Sequence, residues 1–146
     1  MITDSVKLGH GVRIPHLLLV NLYGCTIGDG CRIASFVEVG KGVKIGNNVK
    51  IEAFVYICEG VTIEDDVFIG PCVCFVNDLF PPSGKTYPTL VKCGASIGAN
   101  ATIVCGITIG RSAKVAAGSV VVKDVPDGMV VAGNPAHELK NSRWCV

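Results

Sequence analysis

From Ile27 to Phe75 an aliphatic or aromatic residue recurs at every sixth position: Ile27, Ile33, Val39, Ile45, Ile51, Ile57, Ile63, Ile69 and Phe75. A second apolar or small residue follows each head by four places, as in Cys31, Val37, Val43, Val49, Val55, Val61, Val67 and Val73. Between them stand residues that accept a tight corner, such as Gly28, Gly30, Gly40, Gly42, Gly46 and Asn48. Neither a helix of about 3.6 residues per turn nor the two-residue alternation of a half-buried strand yields a period of six. One short strand plus one corner does, and three such units close a triangular coil of about 18 residues. Coils stacked about 4.8 Å apart place Ile27, Ile45 and Ile63 in one internal ladder and Ile33, Ile51 and Ile69 in another. A single coil cannot bury its own face, so stability comes from stacking and the ends need caps.

The heads extend back to Ile2, Leu8, Ile14 and Val20, with Val6, Val12 and Leu18 as inward partners. From Val20 to Ile27 the step is seven residues, which predicts a one-residue bulge at the corner around Tyr23 and Gly24. After Phe75 the pattern breaks. Residues 76–90 read VNDLFPPSGKTYPTL, with Pro81, Pro82, Pro88 and a Ser83-Gly84 turn signal, and are expected to leave the ladder as a loop. Val91 restores the phase through Ile97, Ile103, Ile109, Val115 and Val121, and Pro126 ends it. The expectation is therefore an all-β parallel β-helix over about residues 2–126, with one projecting loop at 76–90. A short C-terminal cap at 127–146, including Leu139 and Trp144, completes a single domain over 1–146. A long loop on a rigid repeat scaffold reads as functional, because the scaffold gains nothing from it.

An apolar fraction of 49% and a mean hydropathy of +0.51 would suit a membrane protein, but the distribution does not. The longest uncharged run, Cys93 to Gly110, holds four glycines plus Ser96, Asn100, Thr102 and Thr108 in hexad phase, which suits a buried β core and not a lipid-spanning helix. Met1 to His10 lacks the basic-then-apolar pattern of a signal peptide, so a cytoplasmic location is expected. A net charge of +1 creates no field for nucleic acid or an anionic membrane, which leaves small-molecule chemistry. The eight cysteines are scattered through different hexads and read as reduced, small hydrophobic fillers. Cys72 and Cys74 form a CxC with no partner pair at zinc-site spacing, and His10 and His16, six apart, fall on adjacent faces with only His137 besides; no metal is expected. His10 reads as an exposed corner residue, while His16 stays open between that and a substrate contact.

ICEGVTIEDDVFIG (57–70), FVND (75–78), ASIGANATIVCGITIG (95–110) and VVKDVPDGMVVAGNPA (121–136) carry a narrower signal. The chain resembles the hexapeptide-repeat acyltransferases, and within them the nucleotide-sugar N-acetyltransferases of the branch acting on UDP- or dTDP-linked 3-amino sugars. The resemblance implies a left-handed β-helix, where the general crossover rule would favour the other hand. It also implies a homotrimer that transfers acetyl from acetyl-CoA to a sugar amine for surface polysaccharides, without inserting into a membrane. Alternatives are an O-acetyltransferase of a sugar or small alcohol, and a non-catalytic β-helix that binds or builds. Ice-binding Thr-x-Thr rows are absent from the sequence.

The residues favour an amine acceptor independently. A hydroxyl needs a general base, for which related O-acetyltransferases use a loop histidine, and residues 76–90 contain none. A neutral amine attacks a thioester unaided once held in line, leaving the protein to position it and stabilise the oxyanion. The resemblance assigns Asn77 and Asp78 as the catalytic pair, Asn77 bonding the acceptor and Asp78 orienting the amine or taking its proton. The competing reading of the pair is an Asx turn that starts the loop. His16, Phe75 and Lys85 are the expected substrate contacts. For acetyl-CoA, a backbone N–H near Gly106 is expected to face the thioester oxygen, and the resemblance implies that the pantetheine passes Ala99, Ala117 and Gly118, with Lys123 near phosphates and Pro135 near the adenine. Pro82 and Pro15 stand where family members often carry arginine and tryptophan, which leaves the sugar and its nucleotide open.

Overall fold

The computed structural model describes residues 1–139. Its strands are two or three residues long and its helical content is a single 3₁₀ turn at Leu17–Leu19. The strands form three parallel sheets that wind as a left-handed β-solenoid of about seven turns. The first face holds Lys7–Leu8, Thr26–Ile27, Lys44–Ile45, Val61–Ile63, Thr89–Val91 and Thr108–Ile109. Arg32–Ile33, Lys50–Ile51, Phe68–Ile69, Ser96–Ile97, Lys114–Val115 and Val130–Ala132 make the second, closed by the antiparallel His137–Glu138. The third holds Asn21–Leu22, Glu38–Val39, Tyr56–Ile57, Cys74–Phe75, Thr102–Ile103 and Val120–Val121.

Register explains why the period is six. Lys44 lies opposite Thr62 and Ile45 opposite Ile63, a step of 18 residues, so heads stack on heads inside the prism. Ile33, Val39, Ile57, Ile69, Phe75, Ile97, Ile103 and Ile109 are fully buried. Their strand neighbours on the outside carry the charge of the second face, as Arg32, Lys50 and Lys114 do. Corners are pinned by a chain of side-chain bonds from coil to coil: Asp29 N–H donates to Asn47 Oδ1 at 2.8 Å, and Asn47 N–H to Asp65 Oδ1 at 2.7 Å. Seven cysteines among the described residues are free thiols; Cys25, Cys31, Cys58 and Cys105 are buried.

Three sequence expectations need correction. The head of the irregular coil is Leu22, not Val20: Leu22 lies opposite Val39 and Ile2 opposite Leu22, while Val20 takes the inward seat two places earlier. The extra residues enter at the 3₁₀ turn 17–19, which leaves Leu18 93% exposed instead of inward; the corner at Tyr23 and Gly24 is shorter, not longer. The loop ends at Pro88, because Thr89 and Leu90 already pair with Val61 and Thr62. Val91 lies opposite Ile63, a step of 28 against 18, so ten residues are extruded while the ladder continues. Leu139 is described and its N–H donates to the Val130 carbonyl at 2.8 Å; the rest of the expected cap, Trp144 included, lies outside the described residues.

Candidate functional site

The loop leaves the corner between the third and first faces, and its neck is closed by Tyr87 N–H donating to the Asn77 carbonyl at 2.9 Å. Asp78 folds what lies between. Its Oδ1 accepts from Phe80 N–H at 3.0 Å and the Ser83 hydroxyl at 2.6 Å; its Oδ2 accepts from Ser83 N–H at 2.7 Å and Gly84 N–H at 3.2 Å. The Ser83 hydroxyl, helped by these backbone amides, holds the carboxyl below the usual carboxylate range. Four donors on one carboxylate describe an Asx-type loop staple, and a group stabilised as its anion is a poor proton acceptor. The adjacent Asn77 is half-buried, and among the described residues its side-chain amide has no partner, so it is the member of the pair free to meet a ligand.

Phe75 corrects the expected substrate set. It is fully buried in the ladder, stacked on Ile103, so its ring holds the base of the loop and presents nothing to a ligand. Lys85 is exposed in the loop, with its N–H donating to Ser83 Oγ. His16 is exposed at the start of the 3₁₀ turn, on the opposite edge of the third face and several coils from the loop, so one prism does not bring the two together.

Gly106 sits directly over the loop neck, where a Cβ would lie 3.6 Å from Tyr87 Cβ, and its φ is +79°. At the other two corners the left-handed residue donates its N–H to the coil before it: Asn48 to Asp29, Asn100 to Pro71, Ser112 to Cys93, Gly118 to Ala99. Among the described residues Gly106 N–H has no such acceptor, and neither has Gly60 N–H at the same corner. An unsatisfied, accessible N–H in a corner of fixed geometry is a ready donor for an incoming oxygen. Beside it lies a groove of about 360 Å³, lined by Thr62, Pro88, Leu90, Gly106 and Thr108. Lys123 is exposed one coil further along the same corner.

The remaining expected cofactor contacts lie elsewhere. Ala99, Ala117 and Gly118 stack on the far edge of the third face, and the 133–136 segment is tied there by Val120 N–H to the Gly133 carbonyl and Ala136 N–H to the Val120 carbonyl. Pro135 is exposed within it. The set thus divides between the two edges of one face. Among the described residues no group of three or more His, Cys, Asp or Glu side chains converges, and no helix is long and apolar enough to cross a membrane.

A second polar cluster lies on the third face. Asn21 Nδ2 donates to Glu38 Oε2 at 3.1 Å and the Tyr23 hydroxyl to Glu38 Oε1 at 3.0 Å, and the latter bond raises the Tyr23 pKa. Beside it Phe36 and Phe54, at φ +60° and +62°, stack their rings at 4.8 Å while remaining 51% and 59% exposed. Only the coil register brings residues 21, 23 and 38 together, so no local motif announces them.

Two family models match this chain: the bacterial transferase hexapeptide (six repeats) over residues 42–76, and the hexapeptide repeat of succinyl-transferase over 94–123. Both fall on the stacked coils and neither covers the loop. The chain carries the hexapeptide repeat that both models describe. Among curated relatives of this hexapeptide-repeat protein is a 2,3,4,5-tetrahydropyridine-2,6-dicarboxylate N-acetyltransferase of Clostridium perfringens, 43% identical over 75 residues. That match takes in 51% of this chain and 31% of the relative, so the chain spans about a third of the length of the curated relatives it matches. The fold is that of AntD, an N-acyltransferase from Bacillus cereus solved as a mutant with dTDP and coenzyme A: TM-score 0.83, 23% identity, 94% of this chain and 85% of that one. The acetyltransferase domain of PglB from Neisseria gonorrhoeae, solved with acetyl coenzyme A, matches at TM-score 0.76 and 26% identity over 88% of this chain and 57% of that one.

Proposed function

We propose that this chain is an acetyl-CoA-dependent N-acetyltransferase acting on the amino group of a nucleotide-linked amino sugar, within surface polysaccharide synthesis in the cytoplasm. The observation that carries the reading is the unpaired Gly106 N–H above a histidine-free loop. Such a corner donates to a thioester oxygen as it becomes the tetrahedral oxyanion, and such a loop suits an acceptor that needs no general base. Support comes from AntD and PglB, solved with coenzyme A and acetyl coenzyme A, and from relatives named as N-acetyltransferases.

In this mechanism Asn77 holds the acceptor beside its amine, while Asp78 acts through the loop it folds. The neutral amine attacks the thioester carbon, Gly106 N–H steadies the oxyanion, the C–S bond breaks, and the amine proton passes to the leaving thiolate or to water. His16 and Lys85 are secondary acceptor contacts, and Lys123 attracts the CoA phosphates.

The division of Ala99, Ala117, Gly118 and Pro135 from Gly106 and Lys123 favours a homotrimer, in which an extended cofactor takes one edge from each of two neighbouring prisms.

Thiol release from acetyl-CoA with a panel of UDP-, dTDP- and GDP-linked amino sugars, against simple sugars, tests the reading. Asn77→Ala should lose about 10 to 100-fold in kcat/KM, the worth of one hydrogen bond of roughly 1.5 to 3 kcal/mol, with unchanged stability. Release only with hydroxyl acceptors, or a stable monomer at micromolar concentration, would defeat it.

A further inference from the structure

The first coils of the third face carry a groove of about 380 Å³ lined by Leu18, Leu19, Phe36, Asn21 and Glu38. That volume is in the range of small-molecule sites. Three of its features are open to a ligand. Glu38 is oriented, since each carboxylate oxygen takes one donor, from Asn21 and from Tyr23, and each keeps a second lone pair. Asn21 keeps its other amide hydrogen and its carbonyl. Phe36 is held in left-handed backbone that bulky residues avoid, with half its surface open and its ring stacked on Phe54.

We infer that this groove is a nucleobase subsite, in which the base lies against Phe36 and the leucines while a ring N–H donates to Glu38 and a neighbouring carbonyl accepts from Asn21. The inference rests on the proposed nucleotide-linked acceptor and adds where the base is read. A carboxylate repels phosphate, so the part of a nucleotide that lies here is the base and not the diphosphate. An acceptor beside a donor matches the edge of uracil, thymine or guanine, each of which presents N–H next to C=O. A flat aromatic wall matches its face, since base stacking on aromatic side chains is a common and strong contact. From Glu38 the third face leads through Tyr56 to Cys74, two coils or about 10 Å, and the loop with Asn77 begins just beyond. A base at Glu38 therefore leaves ribose, diphosphate and sugar to run up the face toward the loop.

The test is calorimetric titration of the full chain with UDP, dTDP and GDP, repeated on Glu38→Gln and Phe36→Asn, with sedimentation and CoA binding on each protein. Glu38→Gln keeps the shape and an acceptor for Tyr23. At least one diphosphate should bind the unaltered protein, and each variant should weaken it about tenfold or more, with CoA affinity and oligomeric state unchanged. Equal affinity of Glu38→Gln and the unaltered protein for all three diphosphates would overturn the subsite, as would no binding of any. So would a Phe36→Asn protein that changes oligomeric state while its nucleotide affinity stands, which would assign the groove to contact between copies. If thiol release with a nucleotide-linked amino sugar proceeds with a KM indifferent to Glu38→Gln, the acetyltransferase reading survives and the subsite does not. Diphosphate binding that depends on Glu38 without any thiol release has the reverse meaning.

Discussion

Replacing Thr89 by valine should make the protein more stable. Thr89 occupies the inward seat two places before the head Val91, where the coil below has Val61 and the coil above Ile107. It is 2% exposed, and its hydroxyl is the buried side-chain oxygen without a partner among the described residues. A buried hydroxyl left unpaired costs roughly 1 to 3 kcal/mol, whereas a methyl group of the same shape in that seat costs nothing comparable. After allowing for imperfect fit, Thr89→Val should gain about 1 to 2 kcal/mol, a rise in thermal midpoint of a few degrees for a chain of this size. Urea titration is the cleaner assay, because an unchanged slope with a higher midpoint separates stability from a changed unfolded state. The mirror substitution, Val61→Thr, places a second unpaired hydroxyl one coil away and should lose a similar amount. If Thr89→Val lowers the midpoint, the hydroxyl has a partner that stabilises the fold, and the argument from the unpaired group is refuted.

Three other outcomes follow from the geometry. Because Asp78 is held below the ordinary carboxylate value of 3.8, chiefly by the Ser83 hydroxyl, its loop contribution is present above that value and is lost only as pH falls through the lower folded pKa; the Ser83 amide NMR signal should therefore stay put through pH 3.8 and move below it, and Asp78→Asn should release the loop at every pH. Gly98→Ala should cost roughly 3 kcal/mol, since its Cβ would lie 2.6 Å from the backbone nitrogen of Ala117, while Gly118→Ala, with open space but φ of +70°, should cost about 1 to 2 kcal/mol; equal thermal midpoints would contradict this. Burial pushes the Cys58 thiol from 9.0 up to about 11, so the unfolded chain loses its proton first and stability should decline as pH rises from 9 toward 11, an effect that Cys58→Ala removes from the pH profile.

The extruded loop was legible because prolines and a lost period mark it, yet its last residues were not. Thr89 looks like loop by composition, and it is a strand residue because Val61 and Ile107 leave a gap of one coil that something must fill. Asp78 shows the same limit at the site. Its pairing with Asn77 was visible, but the choice between touching a ligand and tying the loop depends on where Ser83 and Gly84 turn, and they turn back onto its carboxylate. Phe75 was assigned outward on the strength of its neighbours, although its own place in the period put it inside.

By itself the sequence determined the prism. An apolar head recurs every six residues with a second inward seat two places before it, so the period dictates strand, corner and coil together. It also placed the loop, since ten residues without the period have nowhere to go but out. Only the tertiary structure decided which residues meet across coils. Leu22 displaces Val20 as a head because a 3₁₀ turn takes up the slack before it, and Asn21, Tyr23 and Glu38 meet because their coils stack at a shortened step of 17. Local sequence sets what each corner can be, and the hydrogen bonds between coils set what is left over for chemistry.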